Sequence, residues 1–275
     1  MTFHPHHRRW LMLALLAAAG PASAHDSWFR PLPIAESGEA VFALGTGNMF
    51  ARQETPIAQQ LLSSTGCSSE GARAAPMRWV ADLPAAVVLR SAQPVAAKST
   101  LTCWAQLKPI EVEIDDATVD IYLREINALP AMRERWAALK ARGVRWQETY
   151  TKHARIEFNP TPGAQLLNGG ADAVAIDGLG MDIRLESPQP LRVGDTLRAQ
   201  LLRDGKPLAG MPVELRNNLS PVGIWRQTDA QGRLQVTVPL AAQWLLRSVD
   251  LRPAGTSDRW DSRFVTLAFE VLGPR

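Results

Sequence analysis

Five histidines occur in the 275-residue chain, at positions 4, 6, 7, 25 and 153. His25 follows directly on Ala22-Ser23-Ala24, the small-residue pattern at which an export leader is cut. Cleavage there makes His25 the first residue, with its α-amine and ring Nδ1 placed to close one chelate ring. An α-amine has an unperturbed pKa of about 7.7–8.0, so a metal ion displaces its proton at modest cost. Asp26 offers an oxygen, and His153, the other histidine outside the leader, offers a third nitrogen. Three nitrogens suit copper(II) best and nickel(II) next. The expected metal ligands are therefore His25, Asp26 and His153, holding one transition-metal ion. The plainer alternative is a processing site that happens to precede a histidine, with His153 solvated on the polar face of a strand.

Such a set would resemble the histidine brace of copper proteins. Other metal chemistries lack their signatures. Ser27 stands third from the new terminus, where an amino-terminal copper motif needs His, and no pair of histidines has the helical spacing of a zincin. Met49, Met77, Met132, Met181 and Met211 are scattered and form no copper(I) tract. Gly-x-Ser-x-Gly is absent, and a Ser-His-Asp triad would have to use one of the two remaining histidines. The acid pairs Glu111/Glu113 and Asp115/Asp116 stand before a helical pattern, where solvation or the helix dipole explains them without glycosidase chemistry. Gly45-Thr46-Gly47 lacks the spacing and lysine of a phosphate loop. The expectation is a binding protein, not an enzyme. The eight tryptophans outside the leader read as core, since each brings a large apolar area to a thin sandwich.

The terminus becomes a ligand only if the leader exists. Arg8-Arg9, the apolar run Trp10–Ala19, the breaker Gly20-Pro21 and the cleavage pattern compose a signal peptide over residues 1–24. The run is short for a membrane span, and no later window is apolar for eighteen residues. The expected location is the periplasm, with no membrane span in the mature chain. An oxidising compartment favours pairing the two cysteines, Cys67 and Cys103, over two buried free thiols. Net charge is +3 and the sequence pI about 9.1. Without Arg8 and Arg9 there remain 28 basic against 27 acidic side chains, with no run of five like charges. A phosphate-backbone binder needs clustered Lys and Arg, so no nucleic-acid partner is expected.

The positioning elements are mostly strands. Short apolar runs at Ala40–Leu44, Arg78–Val80, Ala86–Leu89 and Leu101–Leu107 are separated by turn residues, as in an antiparallel sandwich or barrel. Residues 118–142 change to helical spacing, with Pro130 suited to a first turn and Gly143 to a stop. Residues 144–151 fit helix or strand. Alternation then returns, with Ala154, Ile156 and Phe158 on one face and His153, Arg155 and Glu157 on the other. Pro160–Gly163 and Asn168–Gly170 read as a linker. Beyond it, Asp195–Leu201, Met211–Arg216, Val222–Thr228, Leu234–Val238, Gln243–Val249 and Phe264–Val271 are further strands, and Asp204-Gly205 signals a tight hairpin. The expected fold is mainly β. It has two sandwich-like units, 25–165 with a helical insert and 172–275 immunoglobulin-like.

Several stretches together point to one family. They are His25-Asp26-x-Trp28, Gly45-Thr46-Gly47, Tyr122-Leu123-Arg124-Glu125, and Glu148-x-Tyr150-x-Lys152-x-Ala154-Arg155. Gly194-Asp195-x-Leu197, Asp204–Gly210, Thr228-Asp229-x-x-Gly232, Trp244–Arg247 and Leu267-x-Phe269-Glu270 complete the set. The chain resembles the exported bacterial family of domain of unknown function 4198. The resemblance implies a two-part, β-rich periplasmic protein with a connection to nickel and cobalt uptake. His153 departs from it, standing where the family more often has an aromatic residue, and Arg155 stands where it usually has Lys. The expected function is a soluble periplasmic binding protein that handles copper or nickel/cobalt through its N-terminal His. The alternative is a metal-free interaction module serving an envelope or outer-membrane transport complex.

Overall fold

Alternating burial along the chain builds three sheets. The computed structural model describes residues 25–69, 73–95, 100–161, 164–166, 176–187, 190–255 and 257–274. The leader and most of the expected linker lie outside the described residues. The first strands are β1 (Asp26–Leu32), β2 (Glu39–Gly47), β3 (Thr55–Pro56), β4 (Leu62–Ser69), β5 (Arg78–Leu83) and β6 (Ala86–Pro94). β7 (Leu101–Leu107) and β8 (Ile110–Ile114) lead into α1 (Asp116–Glu125), α2 (Pro130–Ala141) and the long β9 (Trp146–Thr161). Then follow β10 (Ala164–Leu166), β11 (Met181–Leu185), β12 (Leu191–Arg192), β13 (Thr196–Arg203), β14 (Lys206–Pro207) and β15 (Pro212–Asn217). β16 (Ser220–Gln227), β17 (Arg233–Thr237), β18 (Ala242–Pro253) and β19 (Trp260–Leu272) complete the series.

A ten-stranded sheet forms the centre, in the order β16-β15-β18-β19-β9-β7-β4, with β8 and β10 added to β9 and β12 to β19. A five-stranded sheet, β1-β2-β6-β5 with β3 on β2, covers one part of it. Their inner faces meet over Phe29, Phe42, Leu44, Leu89, Ala154 and Ile156. A four-stranded sheet, β11-β13-β14 with β17 on β13, covers another part over Ile183, Leu197, Leu201, Val213, Leu246 and Phe269. The mainly β, sandwich-like expectation is met. Hydrogen bonding also crosses the expected boundary between units: β19 runs parallel to β9, with Trp260 opposite Glu148 and Ala268 opposite Ile156.

The helical stretch is two helices. The Asp115 side chain accepts from the Thr118 backbone N–H at 3.0 Å and caps α1. α2 starts with Pro130 in its first turn, where the missing N–H costs nothing. Between them Asn127 takes φ 49°, a left-handed value that a short polar side chain tolerates. Their buried face covers Trp146, Trp260 and Phe264. Trp146 and Trp260 stack with ring centroids 4.7 Å apart. Residues 144–151, ambiguous by periodicity, are strand from Trp146 onward. Asp204 and Gly205 both take positive φ and close the β13–β14 hairpin as the dipeptide suggested.

Candidate functional site

β1 brings residue 25 against Lys152 of β9. Its residues pair with β2, Asp26 opposite Gly47 and Ser27 opposite Thr46, and the Thr266 hydroxyl of β19 donates to the Ser27 carbonyl. Lys152 Nζ donates to the His25 carbonyl at 2.6 Å. That ammonium lies 5.3 Å from the Tyr150 ring centroid and 5.7 Å from that of Phe264. Burial pulls its pKa down to about 8, against the opposing pull of Asp26 and Glu148. The His25 ring is half-buried. Its pKa is lowered by burial and then by the Lys152 charge, while Glu54, Asp26 and Glu125 act the other way. A neutral imidazole is the form that binds metal.

Asp26 is buried, 3% exposed, and its carboxylate is engaged by guanidinium groups. Arg247 Nε stands 3.1 Å from Asp26 Oδ2, a charge contact without hydrogen-bond alignment, and Arg216 Nη1 stands 4.0 Å from the same oxygen. Arg247 is 2% exposed. Its Nη1 donates to Glu214 at 3.1 Å, and its Nη2 to the Glu125 carbonyl at 3.4 Å. Register explains the first of these bonds, since Glu214 of β15 is the direct cross-strand partner of Arg247 of β18. Arg216, two residues along β15 on the same face, donates from Nε to Glu214 at 2.9 Å. Burial raises the Glu214 pKa, and both arginines oppose that rise. Arg216 and Arg247 line a cleft of about 670 Å³ with Asn48, Met49, Phe50, Glu125 and the β15–β16 turn. Asn217 shapes that turn, its Oδ1 accepting from the Leu219 and Ser220 backbone at 2.9 Å each.

His153 lies on the other side of the sheet. Neighbouring residues of a strand project to opposite faces, so His153 points away from Lys152 and from His25. It is not the solvated histidine of the plainer sequence reading: it is 1% exposed. Its Nδ1 stands 2.9 Å from the Phe264 carbonyl and therefore carries the proton, while Nε2 has no partner among the described residues. Glycine at 180 makes room for the ring, because a Cβ there would approach Nε2 to 3.0 Å. Burial drives the His153 pKa down to about 4. The structure thus brings His25 and Asp26 together and leaves His153 apart. Among the described residues no three His, Cys, Asp or Glu side chains are grouped to hold a metal ion.

Residues 148–249 match the family model described as Domain of unknown function (DUF4198). Over this stretch the chain is similar to the DUF4198 family. Comparison with curated proteins gives no match. The DUF4198 stretch runs from Glu148 of β9 to Val249 of β18 and contains Lys152, Glu214, Arg216 and Arg247. His25, Asp26 and Glu125 reach it from outside. The Asp26–Arg247 contact therefore joins the expected mature N-terminus to the DUF4198 stretch.

The same stretch holds buried polar groups that the sequence reading missed. Arg155 donates from Nη1 to Asp182 at 3.1 Å and from Nε to Glu157 at 3.1 Å, all three buried where β9 meets the four-stranded sheet. Burial pushes the Glu157 carboxyl up to about 7, against the pull of Arg155. On the opposite face Glu148 accepts from Tyr122 at 2.9 Å, from Trp146 Nε1 at 2.8 Å and from the Ser262 hydroxyl. One signal was available: Arg247 interrupts the apolar run Trp244–Val249, and a charge in a buried strand needs a partner. Cys67 and Cys103 form the expected disulfide, bridging directly paired positions of β4 and β7.

Proposed function

We propose that the chain is exported to the periplasm and there binds one transition-metal ion, copper(II) or nickel(II)/cobalt(II), at its mature N-terminus. The observation that carries this reading is the fixing of residue 25. Lys152 holds its carbonyl, Asp26 is anchored in the buried ion network, and the half-exposed ring is kept neutral. An α-amine released at His25 then stands at a set place beside its own Nδ1, which lowers the ordering cost of closing the chelate. His25 supplies both nitrogens, Asp26 acts as the anchor, and Glu54 and Glu125 add negative charge around the ring. His153 takes no part.

The experiment compares calorimetric titrations of copper(II) and nickel(II) into chain beginning at His25 and into chain carrying one extra residue before it. The extension moves the amine out of the chelate, and binding should weaken at least tenfold. Protons compete for both nitrogens, so affinity should fall with pH. Equal affinities of the two forms would overturn the reading.

One observation favours the second reading, a metal-free interaction module for an envelope or outer-membrane transport partner. β16 is an edge strand of the central sheet, and its hairpin exposes apolar side chains, Leu219 at 67% among them. An edge strand beside exposed apolar residues suits strand addition by a partner. Crosslinking from Leu219 and Val222 in periplasm separates the readings. A single crosslinked partner, together with equal metal affinities above, would favour the module.

A further inference from the structure

We infer that the cleft between the loop after β2, the end of α1 and the β15–β16 hairpin is a binding site for a zwitterionic apolar ligand, an apolar amino acid or short peptide. This does not rest on the metal reading. A cleft of about 670 Å³ lies within the range of small-molecule sites. One lining group is Arg247, whose Nη1 and Nη2 donate to Glu214 and the Glu125 carbonyl and whose Nε stands in charge contact with Asp26. Its charge is thus met by buried carboxylates. Two further lining groups keep hydrogen-bonding capacity to spare. Arg216 uses Nε on Glu214 and Nη1 on the Asn48 carbonyl, at 2.9 and 3.2 Å, and its Nη2 has no protein partner among the described residues. The Glu125 carboxylate, at the end of α1, has neither hydrogen bond nor ion pair among the described residues, although the residue is half-buried.

Met49, Phe50 and Leu219 line the same cleft, with Met49 and Leu219 well exposed. The cleft therefore offers one cationic donor, one carboxylate and an apolar wall. A ligand carboxylate accepts from Arg216 Nη2, its ammonium donates to Glu125, and its apolar side chain covers Met49 and Leu219. A ligand of one charge alone would meet the opposite wall of like sign, at a cost.

The probes are L-leucine and the dipeptide Leu-Leu, titrated into the exported chain in EDTA. Leucinamide and 4-methylpentanoate, which each lack one charge, are the comparisons. Leucine or Leu-Leu should bind, with the stronger of the two fixing the length of the ligand. Both comparison compounds should bind at least tenfold more weakly. Glu125→Gln should weaken binding by a similar factor with an unchanged melting temperature, since Glu125 has no partner to lose. Leu219→Ser, at an exposed position, should weaken it with the fold intact. Absence of millimolar binding by both probes overturns the proposal. So does equal binding of leucinamide, or normal binding by Glu125→Gln. Binding that appears only when EDTA is left out also overturns it, because the ligand would then be a metal complex. Failure of the metal reading leaves each of these readouts in place.

Discussion

Asp26 and Arg247 meet 3.1 Å apart in the interior, one on the first strand and the other on the long β18. The pair belongs to a network with Glu214 and Arg216, so its members cannot be removed singly without leaving charge behind. Taking Arg247 away strands two buried carboxylates. Arg247→Met should cost about 3–5 kcal/mol in urea unfolding. Asp26→Asn, which keeps a polar partner in place, should cost less. In the double variant the two losses should sum to more than the measured change. Strict additivity would mean that the contact carries no coupling.

His153 gives a pH dependence with a defined sign. Its folded pKa, about 4, lies below the ordinary histidine value, so its contribution is present above about pH 6.5 and is lost as pH falls toward 4. The loss amounts to up to roughly 3 kcal/mol for a shift of this size. Glu157, raised to about 7, acts in the opposite sense: its contribution is full below its unfolded pKa and is lost as pH rises through 7. Comparing wild type with His153→Gln isolates the histidine, because Glu157 is present in both. Between pH 6.5 and 4 the wild type should lose more stability than the variant. Parallel curves would show that the ring does not stay neutral inside.

The disulfide closes a loop with a sequence separation of 36 between β4 and β7. In the chain-entropy picture its loss costs about 3–4 kcal/mol. Cys67→Ala with Cys103→Ala should lower the guanidinium midpoint accordingly. Alkylation of folded wild type without reductant should label neither residue.

The helical layer depends on indole stacking. Trp260→Ala should cost about 3–5 kcal/mol and abolish the circular-dichroism couplet of the stacked Trp146–Trp260 pair. Retention of the couplet would assign it to the edge-on Trp136–Trp146 pair instead.

The strands were legible because their periodicity is local. Ala154 and Ile156 on one side of β9, with His153, Arg155 and Glu157 on the other, were placed on the correct faces from alternation alone. What alternation could not give was the environment of the polar side. It faces the four-stranded sheet instead of water, because Asp182 arrives to pair with Arg155. The cleft was illegible for the same reason. Glu125 ends a helix, Asn48 lies after β2 and Arg216 is on β15, and only the tertiary contacts of Arg216 with Asn48 and of Arg247 with Glu125 bring them together. The disulfide was within reach because redox compartment and cysteine count are properties of composition.

The parallel union of β19 with β9 orders events in time. Its partners lie more than a hundred residues apart, and β18 also waits for β19 as its neighbour. Until residues 260–272 have emerged, the central sheet is two fragments with raw edges, each a template for the wrong strand. High contact order of this kind makes closure slow and dependent on the finished chain. A polypeptide threaded outward from its N-terminus would thus stay open for most of its passage, which favours translocation before folding. A ribosome-stalled chain ending before Trp260 should remain protease-sensitive throughout β9, whatever the sequence of its helices.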